Sequence, residues 1–537
     1  MTRLLSFVSF APALLAPLAG AVLWGLKGGA TKPGGVREPA LAGTWYPGPR
    51  ALVVATARHL MRLASAAPAP PGRPVALVAP HAGWTYSGVA AGAAFRLLSP
   101  GSFARVVVVA PSHYGGFRGY ALDDAGTYRT PAGDIPVDLE AVEKLKADGL
   151  ARKVPGVTEP EHALEIELPF LQAALGPFRL VPVLVGQTSA EDEKAFAARL
   201  ALLDDGKTLF VFSSDFTHYG PRFEYQPFGR LTTDVGHKVR HQDGEAVGLL
   251  ASLDAAGFRG FLDQTGATIC GRHGLSTMVE LLSRIAPGAH ASVLAHYASA
   301  ELPFVKDDGT VDYVAMAFTR EPVPPAKALT LPPPETDVPA DAPPLPAAVG
   351  ARLPRLARAA LQTQLIGTDA LSREMASLPV APELFRRQGV FVTINRTDPA
   401  EVSQTGKLRG CIGQVFPEHP LEMAVVRAAL DAALGDPRFP EVEARELPRL
   451  AVEVTVLSPI RPVASWHDIV IGKHGIVLEK QGRRALFLPQ VAPEWGWTLE
   501  ETLGHLSQKA GLPPDAWKEG ARFSVFTGQV FHEERRP

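Results

Sequence analysis

The chain has 537 residues, too many for one ordinary core, so two or three domains are expected. It is 46% hydrophobic and 20% charged, and its 53 Lys and Arg against 55 Asp and Glu exclude the basic field of a nucleic-acid-binding protein. Two cysteines, Cys270 and Cys411, exclude a disulfide framework and a four-cysteine iron–sulfur cluster held by this chain alone. No nucleotide or iron–sulfur cofactor is expected.

In chain order, residues 4–26 come first and carry no charge, a run long enough to cross a bilayer as a helix. Ala19-Gly20-Ala21 offers a signal-peptide cleavage site, but apolar residues continue through Trp24 and Leu26, which favours a retained anchor over residues 1–30. Lys27, Lys32 and Arg37 outnumber Arg3, which favours a cytoplasmic body over a secreted or periplasmic one. Residues 27–40 read as a Gly- and Pro-containing tether. A first globular segment spans residues 36–320. A proline-dense linker follows over 321–348, where regular helix or central strand is excluded. A second globular segment covers 349–535.

In the first segment, residues 74–80, 105–111, 179–186 and 208–214 are short apolar runs and read as buried strands. Residues 51–64, 139–150, 161–175 and 191–203 read as helices. Buried strands alternating with helices predict an α/β domain with a largely parallel or mixed sheet, whose ligand sites lie beyond the strand carboxyl ends. Three of these runs release histidine there: PVALVAP ends at His81, RVVVVAP continues Ser112-His113-Tyr114, and TLFVFSS continues Asp215-Phe216-Thr217-His218. A fourth stretch, ATICGRHG, brings Cys270 and His273. In a parallel sheet these ends share one rim. Imidazole and thiolate suit zinc, iron or copper, and exclude calcium and magnesium, which want oxygen. Asp215 would supply an oxygen ligand or orient a histidine. His218 is a candidate general acid or base. Metal-free chemistry with Cys270 as nucleophile is the alternative on the same residues.

HAGWTYSG, PSHYGG, SSDFTHYG and ATICGRHG, in this order, resemble the Memo family, which is similar in fold to class III extradiol dioxygenases of the LigB type. The resemblance implies a metal pocket at His81, His113 and Cys270, with Asp215 and His218 adjacent, and iron (as Fe(II)) or copper as the metal. Cysteine departs from the all-His/carboxylate iron site of LigB-type enzymes and weakens the case for ring cleavage. His162 and Glu165, on one face of the helix that Glu159-Pro160-Glu161 opens, are expected either to support the ligands from behind, as a similar EH element in the family suggests, or to form a solvated helix start. Tyr86, Tyr114, Tyr219 and His273 are expected to line the pocket or pack near it, while His237 and His241 fall on an exposed face.

In the second segment, residues 390–395 and 450–457 alternate as strands, 421–434 and 499–510 read as helices, and 469–478 with 484–488 as a hairpin. This predicts an antiparallel-rich α+β domain. Arg409, Cys411, Arg438 and Glu453 are the candidates for a groove that binds an anion or a partner. LRGCIG, DPRFP and FLPQVAPEWGW resemble the AMMECR family. That resemblance implies association with Memo and radical-SAM proteins in the AmmeMemoRadiSam system, the first two fused here and the radical-SAM member separate. Two functions are therefore expected to compete: a metal-dependent redox or dioxygenase-like protein acting on a small molecule, and a non-enzymatic metal-binding scaffold.

Overall fold

The computed structural model describes residues 33–533, except 67, 68, 71, 148, 303, 306, 322–327, 331–335, 340, 341 and 380; of 405 only the backbone is described. The first unit is built on a nine-stranded mixed sheet. At its centre four parallel strands lie in the order Pro74–Ala79, Thr208–Ser213, Arg105–Pro111, Arg179–Val185. Thr310–Thr319 runs antiparallel beside Pro74–Ala79, and His290–Ala298 beyond it. Every residue of Pro74–Ala79 and of Thr208–Ser213 is buried, so both faces of the sheet are covered and an unbroken apolar run is required there. Helices Trp84–Phe95 and Arg272–Ile285 pack directly on the sheet. The three strands that precede the histidines are immediate neighbours and parallel, so their carboxyl ends open on one rim.

The second unit holds an antiparallel sheet in the order Leu408–Gln414, Val390–Arg396, Leu450–Leu457, Gly528–His532. Helices Leu353–Ile366 and Leu421–Leu434 pack on its apolar face. A smaller antiparallel sheet follows in the order Arg461–Val463, Arg522–Phe526, Gly475–Lys480, Arg483–Phe487. The chain is thus α/β with a mixed sheet, followed by an α+β unit with antiparallel sheets.

Several elements depart from the sequence reading. The helix expected over 161–175 is two helices, His162–Glu165 and Leu168–Leu175; Pro169 opens the second, where its missing N–H costs nothing. The helix expected over 139–150 stops at Leu145. Part of the expected tether is fixed: Val36–Arg37 pairs with Thr127 and Tyr128, and Arg37 is 1% exposed. Within the proline-dense linker, Thr336–Asp337 pairs with Arg386–Arg387. The membrane attachment expected through residues 4–26 is corrected: among the described residues no helix is long and apolar enough to cross a membrane. The segment itself lies outside them.

The two units share one continuous core. Helix Arg50–Leu63 of the first unit packs against Leu353–Ile366, Ala370–Ser377 and Leu421–Leu434 of the second. Polar groups fasten this joint. Glu422, fully buried, lies 2.7 Å from His59 Nδ1 and accepts from Arg62 Nε at 3.1 Å. Arg58 donates to Ser372 Oγ at 2.8 Å, and that hydroxyl donates to the Ala173 carbonyl at 2.9 Å. Replacing Glu422 with Gln keeps the shape but removes the charge. It is expected to lower stability by about 1–3 kcal/mol and to split one cooperative thermal transition into two, as calorimetry of the full chain would register. An unchanged single transition would show that this contact does not couple the units.

Candidate metal centre

His81 follows Pro74–Ala79, His113 follows Arg105–Pro111, and His162 opens the short helix His162–Glu165. One ring nitrogen from each lies within 4.8 Å of the other two. The rings of His113 and His162 are 4.4 Å apart, and that of His81 is 5.2 Å from the first and 5.6 Å from the second. The fourth group arrives from the turn before helix Arg272–Ile285: Cys270 Sγ is 3.2 Å from His81 Nε2. A Cβ on Gly271 would collide with Ser214, so glycine is what lets this turn press against the rim.

The expected ligands are therefore brought together, and His162, placed behind them by the sequence reading, stands in the imidazole cluster itself. Its Nδ1 is buried, 3.4 Å from Glu161 Oε1, and makes no hydrogen bond among the described residues. An orphaned buried imidazole nitrogen beside two further imidazoles and a sulfur is a donor set for a borderline cation such as iron, copper or zinc. The residues fit a metal. Burial first, then repulsion from neighbouring imidazoles, pushes His81 well below the ordinary histidine value and His162 down to about 4, so both keep lone pairs to donate at neutral pH. Burial, helped by Asp215, pushes the Cys270 thiol up. That is the opposite of an activated nucleophile and argues against metal-free thiol chemistry. A thiolate ligand would release its proton on binding metal.

The remaining residues fall around this centre. Glu161 accepts from the His113 backbone N–H at 2.6 Å and from His113 Nδ1 at 2.9 Å. Burial opposes its ionisation, but the His113 hydrogen bonds and the charges of His113 and His162 prevail and hold it below the ordinary carboxylate range. Asp215 Oδ1 accepts from the His81 and Ala82 amides at 2.7 and 3.3 Å, and burial raises its carboxyl to about 7. His218 Nδ1 faces the carbonyls of Phe216 and Thr268 at 2.9 and 3.1 Å, so Nδ1 donates and Nε2 keeps its lone pair. Burial lowers its pKa. Tyr86 packs 6.0 Å from Phe304, and its carbonyl accepts from Tyr297 at 3.0 Å. Glu165 turns from the cluster to bind Arg37, Tyr46 and the Ala40 and Leu41 amides. His273 is drawn away to Glu193 at 3.2 Å.

In the second unit one of the four groove candidates, Arg409, is withdrawn from the other three. Arg409 is 3% exposed and committed to Glu446 at 2.8 Å and to the Pro440 and Glu441 carbonyls. Arg438 remains largely exposed beside Cys411, donates to its carbonyl at 3.1 Å, and pairs with Asp436. That pairing lowers Asp436 to about 2. Cys411, Thr393, Glu453 and His532 occupy successive cross-strand positions of one sheet row. Thr393 donates to Cys411 Sγ at 3.3 Å, and Glu453 lies 3.2 Å from His532 Nδ1.

The Memo-like protein family model matches residues 37–317. The chain belongs to the Memo-like family. An AMMECR1 family model matches residues 354–531, so a Memo-like unit is fused to an AMMECR unit. MEMO1 of Danio rerio is 32% identical over 255 residues, covering 46% of this chain and 85% of that protein. Protein PF1979 of Pyrococcus furiosus is 42% identical over 192 residues, covering 34% of this chain and 88% of that protein. The solved structure of PH0010 from Pyrococcus horikoshii is 39% identical with a TM-score of 0.30, covering 35% of this chain and 94% of that one.

The depressed histidines of the Memo-like unit set a pH dependence. Their folded pKa values lie below the unfolded value of about 6.5, so their contribution is present above that pH and is lost as pH falls through the folded values. For His162, lowered to about 4, the loss is about 3 kcal/mol. Burial raises Asp215 and Glu167 instead, so those two gain stability over the same range, and the His162 contribution is read as a difference. Urea unfolding of metal-free wild type and His162→Gln is expected to show wild-type stability, relative to the variant, falling from pH 6.5 toward pH 4, and a pH-independent difference would contradict this.

Proposed function

We propose that the Memo-like unit binds one iron or copper ion and acts as a redox or dioxygenase-like protein on a small molecule. The observation that carries this reading is the convergence of the His81, His113 and His162 nitrogens within 4.8 Å of one another at the strand carboxyl rim. Cys270 Sγ, 3.2 Å from His81 Nε2, is the fourth group in reach. A metal bound there would supply Lewis acidity and one-electron chemistry. His218 is the proton acceptor, its Nε2 left free by the two carbonyls that hold Nδ1. Asp215 grips the His81–Ala82 backbone and holds the first imidazole at the rim. A separate radical-SAM protein is the proposed partner, on the strength of the family resemblance.

The test is anaerobic loading of the full chain with Fe(II) or Cu(I), followed by oxygen consumption with an aromatic diol. Metal-dependent consumption, lost in His218→Ala while metal stays bound, is expected. Tight metal binding without turnover on any small molecule would replace this reading with that of a metal-holding scaffold.

A further inference from the structure

Beneath His81 lies a buried group that the reading above does not use. Ser213, the last residue of its strand, is 2% exposed, and its Oγ has three polar neighbours. The Ala163 carbonyl, Glu167 Oε1 and His81 Nδ1 each lie 2.8 Å away. A hydroxyl has one proton and two lone pairs. The carbonyl only accepts, so the Ser213 proton goes to Ala163. The other two neighbours must then donate. Glu167 therefore carries a carboxyl proton, and His81 carries its proton on Nδ1, leaving the Nε2 lone pair facing Cys270 Sγ.

The surroundings of Glu167 agree. It is 0% exposed, with no cation paired to it among the described residues, and its second oxygen, Oε2, has no hydrogen-bond partner there. An ionised carboxylate in such a place would be strongly disfavoured. Burial accordingly pushes its pKa well up. A neutral acid used as a hydrogen-bond donor is the form that this site stabilises.

We infer that Glu167 and Ser213 are positioning residues: the chain Glu167–Ser213–His81 fixes His81 in the Nδ1–H tautomer and so aims the Nε2 lone pair at the centre. The assignment deepens the metal reading and rests on it for its function, but the tautomer is a property of the metal-free chain.

Two measurements on the full chain test it. The first is nitrogen NMR of histidine-labelled, metal-free protein, with the His81→Gln spectrum subtracted to isolate His81. The second is Fe(II) affinity by competition with a chromophoric chelator under anaerobic conditions. Wild type is expected to show a protonated Nδ1 and an unprotonated Nε2. Glu167→Gln keeps an N–H donor toward Ser213 and is expected to keep both the spectrum and the affinity. Glu167→Leu and Ser213→Ala are expected to mix the tautomers and weaken Fe(II) binding about 10–100-fold. Wild-type spectra in both Glu167→Leu and Ser213→Ala would overturn the inference, as would Glu167→Gln losing as much as Glu167→Leu. If wild type takes up no metal while the spectra change as described, the metal reading fails and the tautomer assignment stands.

Discussion

Glu165→Ala is expected to lower the unfolding free energy of the full chain by about 3–5 kcal/mol, because it strands a buried guanidinium. Arg37 is 1% exposed, and its carboxylate partner Glu165 is fully buried. Arg37 also donates to the Glu161 carbonyl at 2.9 Å, but a carbonyl does not neutralise its charge. The same substitution removes the acceptor of Tyr46 at 2.6 Å and of the Ala40 and Leu41 amides at 2.8 and 2.9 Å. These contacts hold residues 36–46 against the site, where Trp45 packs 4.7 Å from His162. Weaker metal binding should therefore accompany the loss of stability. Burial would raise the Glu165 pKa, yet Arg37, Tyr46 and the two amides hold it below the ordinary value. Its contribution is accordingly present above about pH 4.5 and is lost as pH falls through the depressed folded value. Urea titrations of wild type and variant at pH 7 decide the matter; a change under about 1 kcal/mol would mean that Arg37 finds another partner.

The second large effect falls on metal affinity rather than stability. Glu161→Ala is expected to weaken metal binding about 10–100-fold. Glu161 receives both the backbone N–H and the Nδ1–H of His113, and also the Ala163 amide at 3.0 Å. His113 is the most exposed of the three imidazoles and depends on this carboxylate for its tautomer and ring orientation. Glu161→Gln keeps an acceptor oxygen and should lose less. Chelator competition with the full chain measures both, and wild-type affinity in Glu161→Ala would show that the His113 ring is held by other contacts.

What the sequence made legible follows from strand physics. Strands buried on both faces must be apolar throughout, so the point where each run gives way to Ser112-His113 or Ser214-Asp215 marks the rim. Parallel neighbours then bring His81, His113 and Asp215 to one edge. Cys270 was legible only through its motif, since its approach depends on a turn packed onto Ser214. His162 was harder to place because it leaves no strand end; it reaches the cluster from a four-residue helix fixed by tertiary contacts. Glu161 reads as an acid at a helix start and nothing in the sequence singles out Glu167, so only the fold reveals that both are buried beneath the imidazoles. In the AMMECR unit, LRGCIG suggested an arginine facing a groove. The pairing instead shifts register there, from Ile394 with Gly410 to Asn395 with Leu408, which leaves Arg409 without a cross-strand partner and its guanidinium committed to Glu446 and the Pro440 and Glu441 carbonyls.

The most direct test of the account is metal stoichiometry by elemental analysis of the full chain, loaded anaerobically with Fe(II) or Cu(I) and freed of excess. One ion per chain is predicted for wild type, with none retained after His81→Ala and His113→Ala are combined and a marked loss in Cys270→Ser. No bound ion in wild type, or equal retention in the double variant, would contradict the claim that these rim residues form a metal centre.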